Sequence, residues 1–320
     1  MRDHARPTIV LSKCLELDAC RYNGQMVRAP FIQMLLPHVD VDPVCPEVEI
    51  GLGIPRDPIR LVASEGARRL VQPTTGRDVT DPMEAFSVRF LGELRKVDGF
   101  ILKSRSPSCG IKDTKIYGNA DDPRPRERGQ GMFGAAVLEH FPMAAVEDEG
   151  RLTNFRLRHH FLTKLFLRAA LRELKASPSM AALVEFHTEN KLLLMAYHQT
   201  ELRALGRIVA NPERRPIAAV LTDYEEHLAH ALERPPRNTS NINVLTHALG
   251  YFSEGLSGTE RKRFLALLDE YHTESANLTA LLTLLRSWTA RFEEPYLGRQ
   301  IYFEPYPREL MDLRDSARAS

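Results

Sequence analysis

The sequence predicts two domains of different class: an α/β domain with a mostly parallel, Rossmann-like sheet over residues 1–150, and an all-α domain over residues 151–320. Three observations carry this reading. The first half alternates short apolar runs with polar segments of helical period, the texture of βαβ units. From about residue 151, apolar residues recur at spacings of three and four almost to the end of the chain. All four cysteines lie within the first 109 residues and none in the remaining 211, so one half of the chain concentrates the chemistry. At 320 residues and 43% apolar content, two cores can be filled.

Taken in order, Thr8-Ile9-Val10-Leu11 reads as a buried strand, followed by a helix around residues 25–38. Strands are expected at Val48–Leu52, Ile59–Val62 and Gly99–Leu102, with helices around 81–96 and 131–141. Between them, 118-GNADDPRPRERGQG-131 is rich in glycine, proline and charge and reads as a mobile loop over the sheet edge. Beyond residue 150 the period predicts helices over 153–175, 181–197, 216–232, 242–255, 259–272 and 277–291. Pro212, Pro235-Pro236 and the Gly255–Gly258 stretch separate them.

Composition excludes several classes of function. There is no apolar stretch near 18 residues, and the opening MRDHARPTIV lacks the layout of a secretory leader, so a cytoplasmic protein without a membrane partner is expected. In a reducing compartment the cysteines are not expected to pair. The formal net charge is only +1, but residues 151–175 hold seven Lys/Arg against one Glu. Such a stripe can bind phosphates whatever the total charge. Arg151, Arg158, Arg168 and Arg172 fall near one helical face and are the candidates for nucleic-acid contact, while Arg156 and Lys164 point elsewhere. A solvated amphipathic helix packed on its neighbours is the plainer account.

Three cysteines sit in turn-like surroundings near expected strand ends: Cys14 in Ser-Lys-Cys, Cys45 in Cys-Pro-Glu, and Cys109 in Ser-Pro-Ser-Cys-Gly. In a parallel sheet, strand ends of one sense share an edge, and ligands bind there. No C-x-x-C pair is present, so spacing does not support a zinc ribbon, and unconnected buried thiols are the bland alternative.

These stretches, Ser-Lys-Cys followed by Arg-Tyr-Asn-Gly at 21–24, 45-CPEVEIGLGIPR-56 and 106-SPSCG-110, resemble the thiouracil desulfidase family over roughly residues 8–147. The resemblance implies a [4Fe-4S] cluster held by Cys14, Cys45 and Cys109, with one iron left free to take sulfur from a thiolated pyrimidine. It implies an acid/base role for Glu47 and a catalytic role for Ser106, and it leaves Cys20 outside the cluster. A departure follows Cys14, where Leu15-Glu16-Leu17 stands in a turn that carries a glycine in relatives. In the second half, 191-KLLLMAYHQTELRALGRIVA-210, 239-TSNINVLTHALGYF-252 and 295-PYLGRQIYFEPYPREL-310 resemble the helical domain often fused to this one. The fused proteins are similar to bacterial desulfidases acting on 4-thiouridine in tRNA. The implied reaction is a non-redox hydrolysis giving uridine and hydrosulfide, on tRNA or free thiouracil, without an obligatory redox partner.

The residues themselves leave alternatives. Glu47 is also accounted for by a salt bridge to Arg56 or Arg60, and Ser106 by turn hydrogen bonding. Thr75, Arg77 and Asp78 could meet a substrate edge, or Asp78 could simply cap a helix. The histidines of the second half show no metal-ligand spacing, and Trp288 with Tyr296, Tyr302, Phe303 and Tyr306 reads as an aromatic core before it reads as a base-stacking platform. A module that binds RNA or protein around a structural metal, without catalysis, is the alternative function.

Overall fold

The computed structural model describes residues 2–64 and 66–311. By internal contacts the chain forms two compact units, Asp3–Ala169 with the stretch from Tyr306 onward, and Ala170–Pro305 with Arg2.

The first unit runs β1 (Thr8–Ser12), α1 (Pro30–Leu35), β2 (Asp40–Val44), α2 (Pro46–Glu49), β3 (Arg60–Ser64), β4 (Ala67–Gln72), β5 (Arg77–Asp78), α3 (Thr80–Glu93), β6 (Gly99–Leu102), β7 (Thr114–Tyr117), β8 (Glu127–Gly129), α4 (Met132–His140), β9 (Ala145–Asp148) and then α5 (Phe155–Ala176), within which the division between units falls. Four strands form an all-parallel sheet in the order β2-β1-β6-β9, with Ile9 registered against Val41 and Gly99. A second sheet, β5-β4-β3-β7-β8, is mixed, with only β3 and β7 parallel.

The parallel sheet is covered on both faces, which is why its central strands read as continuous apolar runs. Ile9, Leu11 and Ile101 enter one core with Phe161, Leu162, Leu165 and Phe166 of α5. Val10, Phe100 and Leu102 point the other way, against Met83 and Phe86 of α3 and Phe133 and Val137 of α4.

Three expectations are corrected. Val48–Leu52 is not a strand: Pro46 opens α2, and its preset φ suits the first position of a helix. β2 escaped notice because Asp-Val-Asp-Pro-Val is a mostly exposed edge strand, the one place a strand tolerates proline. The segment 118–131 holds β8, whose charged residues suit a sheet edge. In addition, the first half of α5 lies in the core of the α/β unit, beyond the expected cut at 150. A chain ending at residue 150 would lose Phe161, Leu162, Leu165 and Phe166, worth about 6–12 kcal/mol of burial. That is comparable to a whole domain's stability. Such a chain is expected to show no cooperative thermal transition by circular dichroism.

The second unit contains the rest of α5, then α6 (Met180–Glu189), α7 (Lys191–Tyr197), α8 (Gln199–Ala210), α9 (Ile217–Ala231), α10 (Asn238–Gly250), α11 (Gly258–His272), α12 (Leu278–Arg291) and α13 (Pro295–Gly298). Caps set several of these starts: Ser179 accepts from Ala182 N, Asn277 from Ala280 N, and Ser257 with Glu260 forms a capping box. The single helix expected over 181–197 is divided at Asn190, whose amide donates to Phe186 O at 2.8 Å. Trp288, Tyr302 and Phe303 are buried, as a core requires. His187 pairs with Tyr224 and His227 with Glu201, both structural contacts. No described helix is long and apolar enough to cross a membrane.

Candidate active site

Because β1, β2 and β6 are parallel, their carboxyl ends lie on one edge. β1 ends two residues before Cys14, β2 ends immediately before Cys45, and β6 leads into the 103–110 loop that carries Cys109. The chain steps from β1 to β2 on one side and to β6 on the other, so the strand order reverses at β1 and opens a crevice there. In it lies a pocket of about 350 Å³ lined by Cys14, Cys20, Cys45 and Cys109 together with Glu47, Arg56, Ser106 and Ser108. Cys20, set apart on sequence, thus joins the other three. It is 1% exposed, and its carbonyl accepts from Cys45 Sγ at 3.8 Å.

Local bonding fixes each group. After β1 the chain turns with Leu15 N on Ser12 O at 2.8 Å, and Cys14 O accepts from Val27 N at 2.8 Å. Glu16 takes the left-handed conformation at φ 66°, which explains why glycine suits this turn. Here the Glu16 carboxylate compensates by accepting from Ala29 N and from Gln33 Nε2. Cys45 is the N-cap of α2, its carbonyl accepting from Val48 N and Glu49 N at 3.0 Å. The Cys109 loop rests on the first turn of α4, where Met132 N donates to Pro107 O at 3.0 Å and Gly134 N to Ser108 O at 2.9 Å.

That contact leaves no room for a side chain. A Cβ on Gly134 would stand 2.4 Å from Gly110 O and 2.8 Å from Cys109 O. Gly134→Ala is therefore expected to displace the Cys109 loop, read as a lowered melting temperature, while β1 and β2 stay in place. Sequence reading passed over this glycine, although 131-GMFG-134 at a helix start was a visible signal of close approach.

The thiols differ in their hold on protons. The hydrogen bond between Cys14 and Cys20 raises Cys14 well above the usual thiol range and lowers Cys20 to about 6, so the pair gives up one proton readily and the second with difficulty. Burial raises Cys45 to about 12 and Cys109 to about 11.

Glu47 is the centre of a polar network. Its Oε2 accepts from Arg56 Nε at 2.9 Å and Nη2 at 2.6 Å, with side-chain exposures of 3% for Arg56 and 13% for Glu47. The salt bridge to Arg56 offered as the plain account of Glu47 is thus present, and it lies within the pocket. Oε1 accepts from Ser108 Oγ at 2.5 Å and from Ser106 Oγ at 3.4 Å, and the two serine hydroxyls are 3.0 Å apart. Ser106 also makes the turn bonds expected of it, its Oγ accepting from Cys109 N at 3.1 Å and Ser108 N at 3.3 Å. Ser108 went unremarked on sequence, since nothing local distinguishes it from Ser106. Arg56 was visible only as a possible ion partner.

The other candidates are scattered. Thr75, Arg77 and Asp78 do not line the pocket; Asp78 accepts from Thr80 N at the start of α3 and pairs with Arg69. Arg151 is held by Glu147 through two bonds at 2.7 and 3.0 Å. Arg158 is 5% exposed and donates to Leu152 O and Thr153 O, with its guanidinium over the Phe31 and Phe155 rings. It braces the entry to α5 and is withdrawn as a phosphate contact. Arg168 and Arg172 are half-buried.

Comparison with known proteins places residues 9–149 in the family described as 2-thiouracil desulfurase and residues 191–307 in one described as a protein of unknown function, DUF1722. The chain is 31% identical over 157 residues to the uncharacterized protein YbgA of Escherichia coli (strain K12), covering 48% of this chain and 92% of YbgA. It is 30% identical over 109 residues to the uncharacterized protein YbbK of Bacillus subtilis (strain 168), covering 32% and 72%. Among solved structures, the [4Fe-4S]-dependent thiouracil desulfidase TudS is 27% identical, covers 46% of this chain and 93% of that one, and superposes with a TM-score of 0.35.

Proposed function

From its membership of the 2-thiouracil desulfurase family we propose that this chain removes sulfur from a thiolated uracil, with 4-thiouridine in tRNA as the substrate and uridine and hydrosulfide as products. The observation that carries this reading is the convergence of four thiols, Glu47 and two serines in one crevice.

The donor set fits an iron–sulfur cluster. Sulfur ligands are soft and suit iron–sulfur chemistry. The four thiols line one pocket of about 350 Å³, and among the described residues no three His, Cys, Asp or Glu side chains are arranged to share a single metal ion. Cys14, Cys45 and Cys109 would hold a [4Fe-4S] cluster. Held there by three thiolates, it would supply an open, thiophilic iron as a Lewis acid toward a thiocarbonyl.

The chain's own residues do the rest. Glu47 takes the proton of the attacking water through Oε1, while Arg56 occupies Oε2 and keeps the carboxylate in place. Ser106 Oγ, fixed by two backbone N–H groups, lines the same pocket and would stand beside the attacking water. No electron leaves or enters, so no redox partner is required.

On the RNA side, Arg151, Arg168 and Arg172 remain the candidates for phosphate contact. Three contacts correspond to a log–log salt slope of about −2 to −3 for RNA binding. A cytoplasmic place of work belongs to the same proposal. The test is anaerobic incubation of the iron-loaded protein with native tRNA, followed by nucleoside analysis. Loss of 4-thiouridine with matching gain of uridine supports the reading, and conversion of free 4-thiouracil alone restricts it to the base. RNA binding without any hydrosulfide would leave the non-catalytic module.

A further inference from the structure

Glu47 and Ser106 are poorly placed to act on each other directly, their atoms standing 3.4 Å apart. Ser108 fills the gap at 2.5 Å from the carboxylate and 3.0 Å from the Ser106 hydroxyl. We propose that Ser108 is the positioning residue that joins Ser106 and Glu47 into a single proton relay. The proposal rests on the desulfidase reading above and adds a residue to it.

The geometry sets the direction of transfer. Glu47 Oε2 is taken up by Arg56, so only Oε1 is open to a proton. Ser106 Oγ accepts from Cys109 N and Ser108 N, which leaves its own proton to be donated, toward Ser108. Ser108 is fully buried, and Gly134 N holds its carbonyl, so its hydroxyl has a set place between the two partners. As water attacks the thiocarbonyl carbon, a C–O bond forms and the C=S π pair moves to sulfur. One water proton passes to Ser106 Oγ as the longer of its two backbone bonds, the one at 3.3 Å from Ser108 N, gives way and frees a lone pair; the Ser106 proton passes to Ser108 and the Ser108 proton to Glu47. When the C–S bond breaks with its electron pair going to sulfur, the same chain returns the proton to that sulfur, giving hydrosulfide, and the remaining hydroxyl proton goes to solvent as the carbonyl forms, the two together making up hydrogen sulfide. The sum is thiocarbonyl plus water to carbonyl plus hydrogen sulfide, without oxidation or reduction.

A serine that only packed the loop would affect loading and stability; a relay member affects the chemical step. The full-length, iron-loaded protein is assayed in single turnover on 4-thiouracil, as wild type, Ser108→Ala, Ser108→Thr, Glu47→Gln and the Ser108→Ala/Glu47→Gln double variant. Expected for Ser108→Ala are unchanged iron content and visible spectrum, an unchanged KM in parallel steady-state runs, and a rate lowered about 10²-fold. The double variant is expected to be no slower than Glu47→Gln, since members of one unit do not add. Ser108→Thr, which restores a hydroxyl, recovers most of the rate. A proton inventory in mixed H₂O and D₂O guards against a threonine that does not fit: bowed for wild type, it becomes linear for Ser108→Ala. A wild-type rate in Ser108→Ala, independent losses in the double variant, or a linear inventory for wild type overturns the relay alone. Wild-type protein that is fully loaded yet releases no hydrosulfide overturns the desulfidase reading, and the relay with it.

Discussion

Cys14→Ala, Cys45→Ala and Cys109→Ala, each purified anaerobically and reconstituted with iron and sulfide, are expected to lose the broad visible absorption together with desulfuration, whereas Cys20→Ala keeps both. The three thiols leave three separate strand ends; Cys45 and Cys109 have no second cysteine on their loops, and Cys14 shares its segment with Cys20, which makes Cys20 the thiol to test against it. Changing a group that only hydrogen-bonds a metal ligand already costs about 10- to 100-fold, and removal of a ligand is expected to exceed about 10²-fold. Cys20 is the demanding control. It is buried in the same pocket and its thiol shifts the proton affinity of Cys14, so its removal perturbs a ligand without deleting one. Iron per chain and absorption decide the matter: a colourless Cys20→Ala beside a coloured variant of any of the other three would reverse the ligand assignment.

Glu47→Gln is expected to keep the absorption and lose turnover by about 10²- to 10⁴-fold, the usual range for a positioned acid/base group. The substitution also leaves the Arg56 charge without its partner at 3% exposure, and breaking a buried pair costs about 3–5 kcal/mol. A lower melting temperature is therefore expected alongside the loss of rate. Glu47→Gln/Arg56→Gln, which removes the orphaned charge, should regain stability but not activity. Recovery of activity with stability would mean that the Glu47–Arg56 pair is structural only, and near-normal desulfuration by Glu47→Gln would end its role as base.

The parts of the fold that were legible from the residues are those that local pattern specifies. Ile9–Leu11 and Phe100–Leu102 could be read as strands because a parallel sheet buried on both faces needs uninterrupted apolar runs. The helices of the second half announced themselves through period and breaks, and Ser257 with Glu260 through capping chemistry. β2 and β8 did not, since an edge strand can be polar on most of its length and still pair. Turn-like surroundings near strand ends brought Cys14, Cys45 and Cys109 into view, whereas Glu47 and Ser106 came only from the resemblance of their motifs to the desulfidase family.

By itself, then, the sequence determined the class of each half and the central strands, and it marked three of the four pocket cysteines by their turns, all properties written within a few residues of one another. Tertiary structure alone decided which of those side chains meet. The parallel order β2-β1-β6 brings residues 14, 45 and 109 to one edge and draws Cys20 in with them. The same packing sets Ser108 and Arg56 on opposite oxygens of Glu47, takes the first half of α5 into the α/β core and buries Arg158. The reason is that burial and hydrogen-bond partnership depend on contacts between segments tens of residues apart, and no spacing along the chain encodes the register that makes them.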